Sequence, residues 1–343
     1  MSKSKTSTNG EHSIKPQEFH GIKHFYGIPH SHTSYSTGKS SPIEAMEYAK
    51  NKSIDFLMIT DHNDYLQDNV YYKSKVITKW RALEKFIHNF NKKNKNLLII
   101  RGFEAQSNYS CDINIINGNT FFKGTVKNKD SLTFWLLFSE KAIAGINHPG
   151  KGLLSLEYSP ELNNYLRYIE VGNGIYPNKY KRYDAIYFAM LDKGWKLGAV
   201  NSQDNHKLNY GDSSNLTVVM CSELDKRSVI GAFSDFRTYS TESRSFTLLY
   251  TINDKLMGST LPYSEDLLLN FSIIAQDKIN KIYKIEIITS GSKVVKTIKD
   301  LNQERIRYIF SIPAKRDEHY YVVRIFFDPK EEMEAISSPI FIE

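Results

Sequence analysis

Apolar residues fall along this chain in two textures, with the change near Arg244. Between residues 26 and 244, short apolar runs alternate with stretches at helical spacing. Ser41-Pro42 followed by IEAMEYAKNK supplies an N-cap, a proline suited to the first helical position and Glu44 near the helix start. IDFLMIT then reads as a buried strand ending near Asp61, VITKWRALEKFIHNFNKK as an amphipathic helix, and LLIIRGFE as the next strand. SLTFWLLFSEK (helix), AIAGINH and LRYIEVGN (strands), YDAIYFAMLDKG (helix) and WKLGAVNS (strand) continue the alternation. This repetition predicts an α/β barrel or a doubly wound sheet. From residue 245 to 343 the runs SFTLLYTIN, LLLNFSIIAQD, KIYKIEIITSG, RIRYIFSIP, YYVVRIFFD and SPIFIE are β-rich and separated by turn residues. They predict a small all-β antiparallel sandwich. Residues 1–25 are polar and are expected to form a loose lead-in.

Composition narrows the class. With 343 residues, 41% hydrophobic and 24% charged, the chain has the core of two folded domains and is not a disordered chain. No run approaches the ~18 apolar residues of a membrane span, so no membrane partner is expected. The N-terminus has no apolar core of the signal-peptide kind, which makes a cytoplasmic location the expectation, with export of a leader-trimmed form still compatible. Cys111 and Cys221 provide neither a disulfide framework nor a four-thiolate zinc site. The net charge is +7, yet residues 245–343 carry 13 basic and 14 acidic residues. The surplus therefore lies in the α/β segment and favours a small anionic ligand there. Only Lys92-Lys93-Asn94-Lys95 forms a basic run, and no aromatics are spaced for base stacking, so nucleic acid is not an expected partner. No pattern specifies an oligomeric state.

The candidate chemistry sits at strand ends. His30 and His32 are two apart, which on extended backbone points both imidazoles to one face. Asp204 and His206 repeat that spacing with a carboxylate and an imidazole. Between them come Asp61-His62, Glu104, His148 and Glu170, each after an apolar run. All are expected at the carboxyl edge of the sheet, where α/β barrels hold their sites. A single histidine at a strand end is commonly a structural hydrogen-bond partner, Asp61 could simply orient His62, and Glu170 could serve an ion pair. The joint pattern is what points to metal. Imidazole and carboxylate donors without thiolates suit Zn²⁺, Mn²⁺ or Fe²⁺, and their number fits two or three ions. His12, His20, His24, His88 and His319 lack this placement.

The segment HSHTSYSTGKSSPIEAMEYAKNKSIDFLMITDHN resembles the opening of the PHP (polymerase and histidinol phosphatase) superfamily, and GFEA, NHP, IEVGN and DNH follow in the same order. The β-rich tail ending in SSPIFIE resembles the CehA/McbA-type branch more specifically. The resemblance spans residues 25–343. It implies a distorted (β/α)7 PHP barrel with a di- or trinuclear centre that hydrolyses phosphoesters. Carried over by position, it makes His30, His32, His62, Glu104, His148, Asp204 and His206 metal ligands, with Asp61 either ligating or orienting. Two departures stand out. Thr37 occupies a loop position where the family usually has an acidic residue, and Asp112 lies where a histidine is usual. Asp112 can replace imidazole at a hard-ion site, whereas Thr37 cannot replace a carboxylate.

The mechanism this implies uses a metal-bound hydroxide as nucleophile, with Glu104 bridging and His206 or His32 serving the leaving oxygen. Lys151, Arg182, Asn173 and Tyr35 are candidate substrate contacts, and for the two cations a solvated loop position is the plain alternative. Rival readings are a carboxyl ester or carbamate metallohydrolase, and a degenerate barrel serving as a binding module.

Overall fold

A computed structural model describes residues 21–175 and 179–343, so most of the polar lead-in lies outside the described residues. The fold is mixed α/β, with one large mixed sheet and few helices. Among the described residues, nine strands on the path of the main sheet precede residue 245: β1 (Lys23–Ile28), β2 (Phe56–Ile59), β3 (Leu98–Gln106), β4 (Asp112–Ile116), β5 (Ile143–Asn147), β6 (Leu166–Asn173), β7 (Gly198–Ser202), β8 (Leu216–Cys221) and β9 (Thr238–Thr241). Five helices of nine or more residues accompany them: α1 (Pro42–Lys50), α2 (Lys79–Lys93), α3 (Lys129–Phe138), α4 (Asp184–Asp192) and α5 (Lys226–Ser234). After residue 245 come β10 (Thr247–Ile252), β11 (Leu268–Gln276), β12 (Lys284–Thr289), β13 (Lys293–Ile298), β14 (Arg305–Pro313), β15 (Tyr320–Phe326), β16 (Glu334–Ser337) and β17 (Ile340–Ile342).

Local sequence explains the helix starts. Ser41 caps α1 reciprocally with Glu44, each side chain bonding the other's backbone N–H, and Pro42 follows at the first helical position. Thr78, Asn128 and Asp225 cap α2, α3 and α5. α2 turns Trp80, Leu83, Ile87 and Phe90 inward, and the last three pack with Ile28, Leu57 and Ile59 of the sheet. The alternate residues Phe56 and Met58 join Tyr168, Val200 and Val219, closed off by Val229 and Phe233 of α5. Both faces of β2 are therefore buried, which is why its sequence is continuously apolar.

The main sheet runs β7-β6-β5-β4-β3-β2-β1-β8-β9-β16-β15-β12-β13. β1, β2, β3, β5, β6 and β7 all point one way, and β4 runs antiparallel between β3 and β5. At the other end of this stretch, β7 meets β8 through a side chain: Asn201 N–H donates to Thr217 Oγ1 at 3.0 Å, and that hydroxyl donates to Asn201 O at 2.6 Å. The ladder between β9 and β16 carries the sheet from residues before 244 to residues after it. β10, β11 and β14 form a second antiparallel sheet whose Leu248, Tyr250, Phe271 and Ile273 share an apolar core with Ile285, Ile287, Tyr321 and Val323 of the large sheet. Among the described residues, no helix is long and apolar enough to cross a membrane.

Two tests follow from this packing. A Cβ added at Gly145 in β5 would lie 2.0 Å from the fully buried ring of Tyr168. Gly145→Ala should lower unfolding free energy by about 1–3 kcal/mol, and an unchanged Tm would refute the close contact. His24 on β1 meets the Tyr239 hydroxyl at 3.0 Å, and burial lowers its pKa from 6.5 to about 4. The unfolded chain then binds the proton first, so stability falls as pH drops from 6.5 through 4, by about 3 kcal/mol in total. In urea titrations His24→Gln should lose stability less steeply than the parent across that window. Parallel losses would exclude this role for His24.

Candidate metal centre

Strand direction gathers the candidate ligands. His30 and His32 follow the end of β1, His62 follows β2, His148 follows β5, and Asp204 and His206 follow β7, while Glu104 and Glu170 lie within β3 and β6. Asp112 arrives differently. It opens the reversed strand β4, opposite Gln106 and Asn147, so the start of β4 shares the edge where its neighbours end.

Glu104 is the hub. Its Oε1 lies 3.1 Å from both His30 Nε2 and His148 Nε2, and its Oε2 lies 3.2 Å from His32 Nε2 and 3.3 Å from His62 Nδ1. Asp204 Oδ1 approaches His30 Nε2 at 3.3 Å and His32 Nε2 at 3.2 Å. Four overlapping triads have their donor atoms within 4.8 Å of one another: His32/His62/His206, His30/Glu104/His148, His30/His32/Asp204 and His62/Glu104/Asp112. Asp112 Oδ2 is 3.9 Å from His148 Nε2.

Outer partners fix how the imidazoles face. His30 Nδ1 donates to Glu170 Oε1 at 2.9 Å, which leaves the Nε2 lone pair directed at Glu104 and Asp204. His32 Nδ1 lies 3.3 Å from Ser36 Oγ, and Ser36 donates to Asp61 Oδ1 at 2.6 Å. His206 Nδ1 donates to the Asp204 carbonyl at 2.9 Å. In each case the inward or outward Nε2 is the free donor atom. Glu170 itself accepts from His148 N at 2.5 Å, Asn173 Nδ2 at 2.8 Å and the Ser202 hydroxyl. His148 and Asp204 both hold left-handed backbone, with φ of 31° and 48°. Non-glycine residues keep such conformations where surrounding structure enforces them.

These residues fit divalent ions. Asp204 Oδ1 is buried and, despite three imidazole nitrogens within 3.5 Å, it has no hydrogen-bond partner among the described residues. Asp204 Oδ1 and the Nε2 atoms of His30 and His32 lie within 3.3 Å of one another, the two nitrogens 3.0 Å apart, close enough for the three to share one cation. Burial opposes charge throughout, and the mutual attraction of the groups overrides it for some of them. Burial acts to raise Glu104, yet the neighbouring imidazoles, His30 first and then His148 and His32, hold it well below the carboxylate range. Asp204 is likewise lowered against burial by His30 and His32. Burial lowers His32, but the neighbouring Asp204 and Glu104 carboxylates carry it up to about 9. For Asp112 burial wins, aided by Glu104, and the carboxyl rises to about 6.

The other candidates lie apart from this cluster. Asp61 is fully buried and spends its oxygens on Thr33 N (2.7 Å), Thr33 Oγ1 (2.6 Å) and Ser36 Oγ, so it braces the loop behind His32 and joins none of the four triads. Asn173 is buried against Glu170 and Ser202. Arg182 is engaged by Asp184, Glu242 and Glu334. Tyr35 is half-buried with its ring 6.5 Å from Phe86, and burial with Asp61 nearby pushes its phenol up to about 12. Lys151 is exposed, three residues past His148. Sequence reading passed over Asn147, which donates to Glu104 Oε1 at 2.7 Å, and Ser202, which the register sets opposite Asn173. Asn147 adjoins His148 and could have been noticed; Ser202 needs the sheet register.

No family model matches the chain, and no curated protein matches it. Among solved structures, it is similar to a two-domain protein from Bacteroides vulgatus containing a predicted PHP-like metal-dependent phosphoesterase. The TM-score is 0.51 and the identity 16%, over 94% of this chain and 95% of that one. The likeness is one of fold.

Replacing Glu170 by Gln leaves four donors around a neutral amide that can accept at only one atom. Glu170→Gln should weaken divalent-metal affinity by about 10–100-fold, measured by chelator competition. An unchanged affinity would remove Glu170 from the role of orienting His30 and His148.

Proposed function

We propose that this chain is a metal-dependent phosphoester hydrolase of the PHP superfamily, acting on a small anionic substrate such as a nucleotide. The observation that carries the reading is the convergence of eight imidazole and carboxylate side chains into four triads sharing His30, His32, His62 and Glu104. The fold likeness to a protein containing a predicted PHP-like phosphoesterase supports it. The same reading makes β1–β8 a distorted barrel, supported by the bonds between Asn201 and Thr217, with the β-rich tail as a sandwich. Assignment to the CehA/McbA-type branch rests on motif order.

Two or three ions of Mn, Zn or Fe type, when bound, would supply Lewis acidity toward the phosphoryl oxygens and lower the pKa of a water. The protein's own residues do the rest. Glu104, a member of two of the four triads, would hold the ions together with His30, His32, His62, Asp112, His148 and Asp204, and Glu170 with Asp61 keeps the imidazoles aimed. His206, with 41% of its side chain exposed, is the outermost imidazole. With Nδ1 committed to the Asp204 carbonyl, its Nε2 serves proton transfer at the leaving oxygen. Lys151 is the nearby loop cation suited to the phosphate.

The test is metal analysis together with a panel of bis(p-nitrophenyl) phosphate, nucleotide monophosphates and aryl esters. Phosphate esters should be turned over, activity should vanish with chelation and return with metal, and Asp204→Ala or His62→Ala should cost on the order of 10³-fold or more. Retained activity in either variant sinks the site, and preference for aryl esters or carbamates replaces the substrate class.

A further inference from the structure

We propose that Arg182 is a positioning residue for the metal centre, tying the strand that presents Glu170 to the carboxyl-terminal strands. Through it, the β-rich carboxyl-terminal segment of the chain sets the geometry of His30 and His148. The inference rests on the metal reading above.

Two links make this connection. On the site side, Arg182 belongs to the two-residue strand Lys181–Arg182, which pairs with Gly172 and Asn173 of β6. Tyr183 N–H adds a bond to Val171 O at 2.9 Å. These contacts begin one residue beyond Glu170, whose carboxylate holds His30 Nδ1 and His148 N. On the far side, the guanidinium is saturated. Nε donates to Asp184 at 3.2 Å, Nη2 to Asp184 at 2.7 Å, and Nη1 to the Tyr180 hydroxyl at 3.1 Å and to Glu242, while Nη2 also pairs with Glu334. Glu334 lies in β16 and is paired in turn with Arg324 of β15, which reaches Asp184 at 3.3 Å. The Glu334 and Glu242 backbones lock the same corner, Glu334 N donating to Glu242 Oε2 at 2.9 Å and Glu242 N to Glu334 O at 3.1 Å.

The network also presses directly on β6. A Cβ at Gly172 would come within 2.3 Å of the Tyr180 hydroxyl and 2.5 Å of Asn201 Oδ1. A guanidinium so committed has no donor left for a phosphate, so its service to the site is through the strand. Lysine or methionine would leave the surrounding carboxylates short of the five-donor fork they are built around. Arg324 provides the comparison, because it touches Glu334 and Asp184 and is outside the strand pairing with β6.

The experiment measures Zn²⁺ affinity of the full chain by chelator competition, alongside the Tm of the metal-free protein. Arg182→Met should weaken Zn²⁺ binding by about tenfold. Arg324→Met, which breaks the same network from the far side, should lower Tm and change affinity by less than about threefold. Equal losses of affinity in the two variants, or an unchanged affinity in Arg182→Met, would overturn the proposal. If Arg182→Met does not fold, Tyr180→Phe removes only a hydroxyl from the network. It should weaken binding by about threefold, and an unaltered affinity there overturns the proposal as well. A parent chain that binds no Zn²⁺ overturns both this inference and the metal reading, whereas a binding parent with unaffected variants overturns this one alone.

Discussion

Burying the Glu104 carboxylate, with only 1% of its side chain exposed, costs several kcal/mol unless positive charge or donors meet it from every side. The molecule meets that demand with four imidazoles and the Asn147 amide, delivered from three separate segments of the chain. Much else in the α/β portion can be read as a consequence. Strands must end at a common edge for the imidazoles to arrive together. The strand ends must also be held stiffly, because an imidazole that swings away leaves an uncompensated charge in the interior. The Glu170 hub and the Asp61–Ser36 brace provide that stiffness from behind.

A good part of this could be read from residue order, for a simple reason. His30, His32, His62, Glu104, His148, Asp204 and His206 each end or follow an apolar run, and apolar runs announce buried strands. The helices were legible for the same kind of reason, through the Ser41 cap and the spacing of Trp80, Leu83, Ile87 and Phe90. What escaped depended on partners distant in sequence. The hairpin Asn69–Tyr72 with Lys75–Thr78 was hidden because VIT ran on into a helical pattern. β13 is largely exposed and so lacks an alternating signature. Asp112 was recognisable by type, but only the reversal of β4 explains its place. Arg182 looked like a free loop cation because Glu242 and Glu334 lie far along the chain.

The two textures seen along the sequence turn out to be joined more closely than their difference implies. Backbone pairing of β9 with β16 makes one continuous sheet of both, and the ion network around Arg182 sits on the same junction. A buried group of this kind gains little stability over an apolar packing of equal volume. What it offers is definition of geometry, because a guanidinium with several carboxylates has few satisfactory arrangements, whereas apolar side chains can slide.

The left-handed backbone at His148 and Asp204 carries a cost that the fold itself never recovers. Each such residue holds roughly 1 kcal/mol or more of conformational strain that glycine would relieve. Selection for thermal robustness alone would therefore drift toward glycine at both positions and erase two candidate ligands while improving the protein by its own measure. Durability and chemistry pull in opposite directions at these two residues, and any variant hardened without an assay for metal would tend to be a better-folded, emptier molecule.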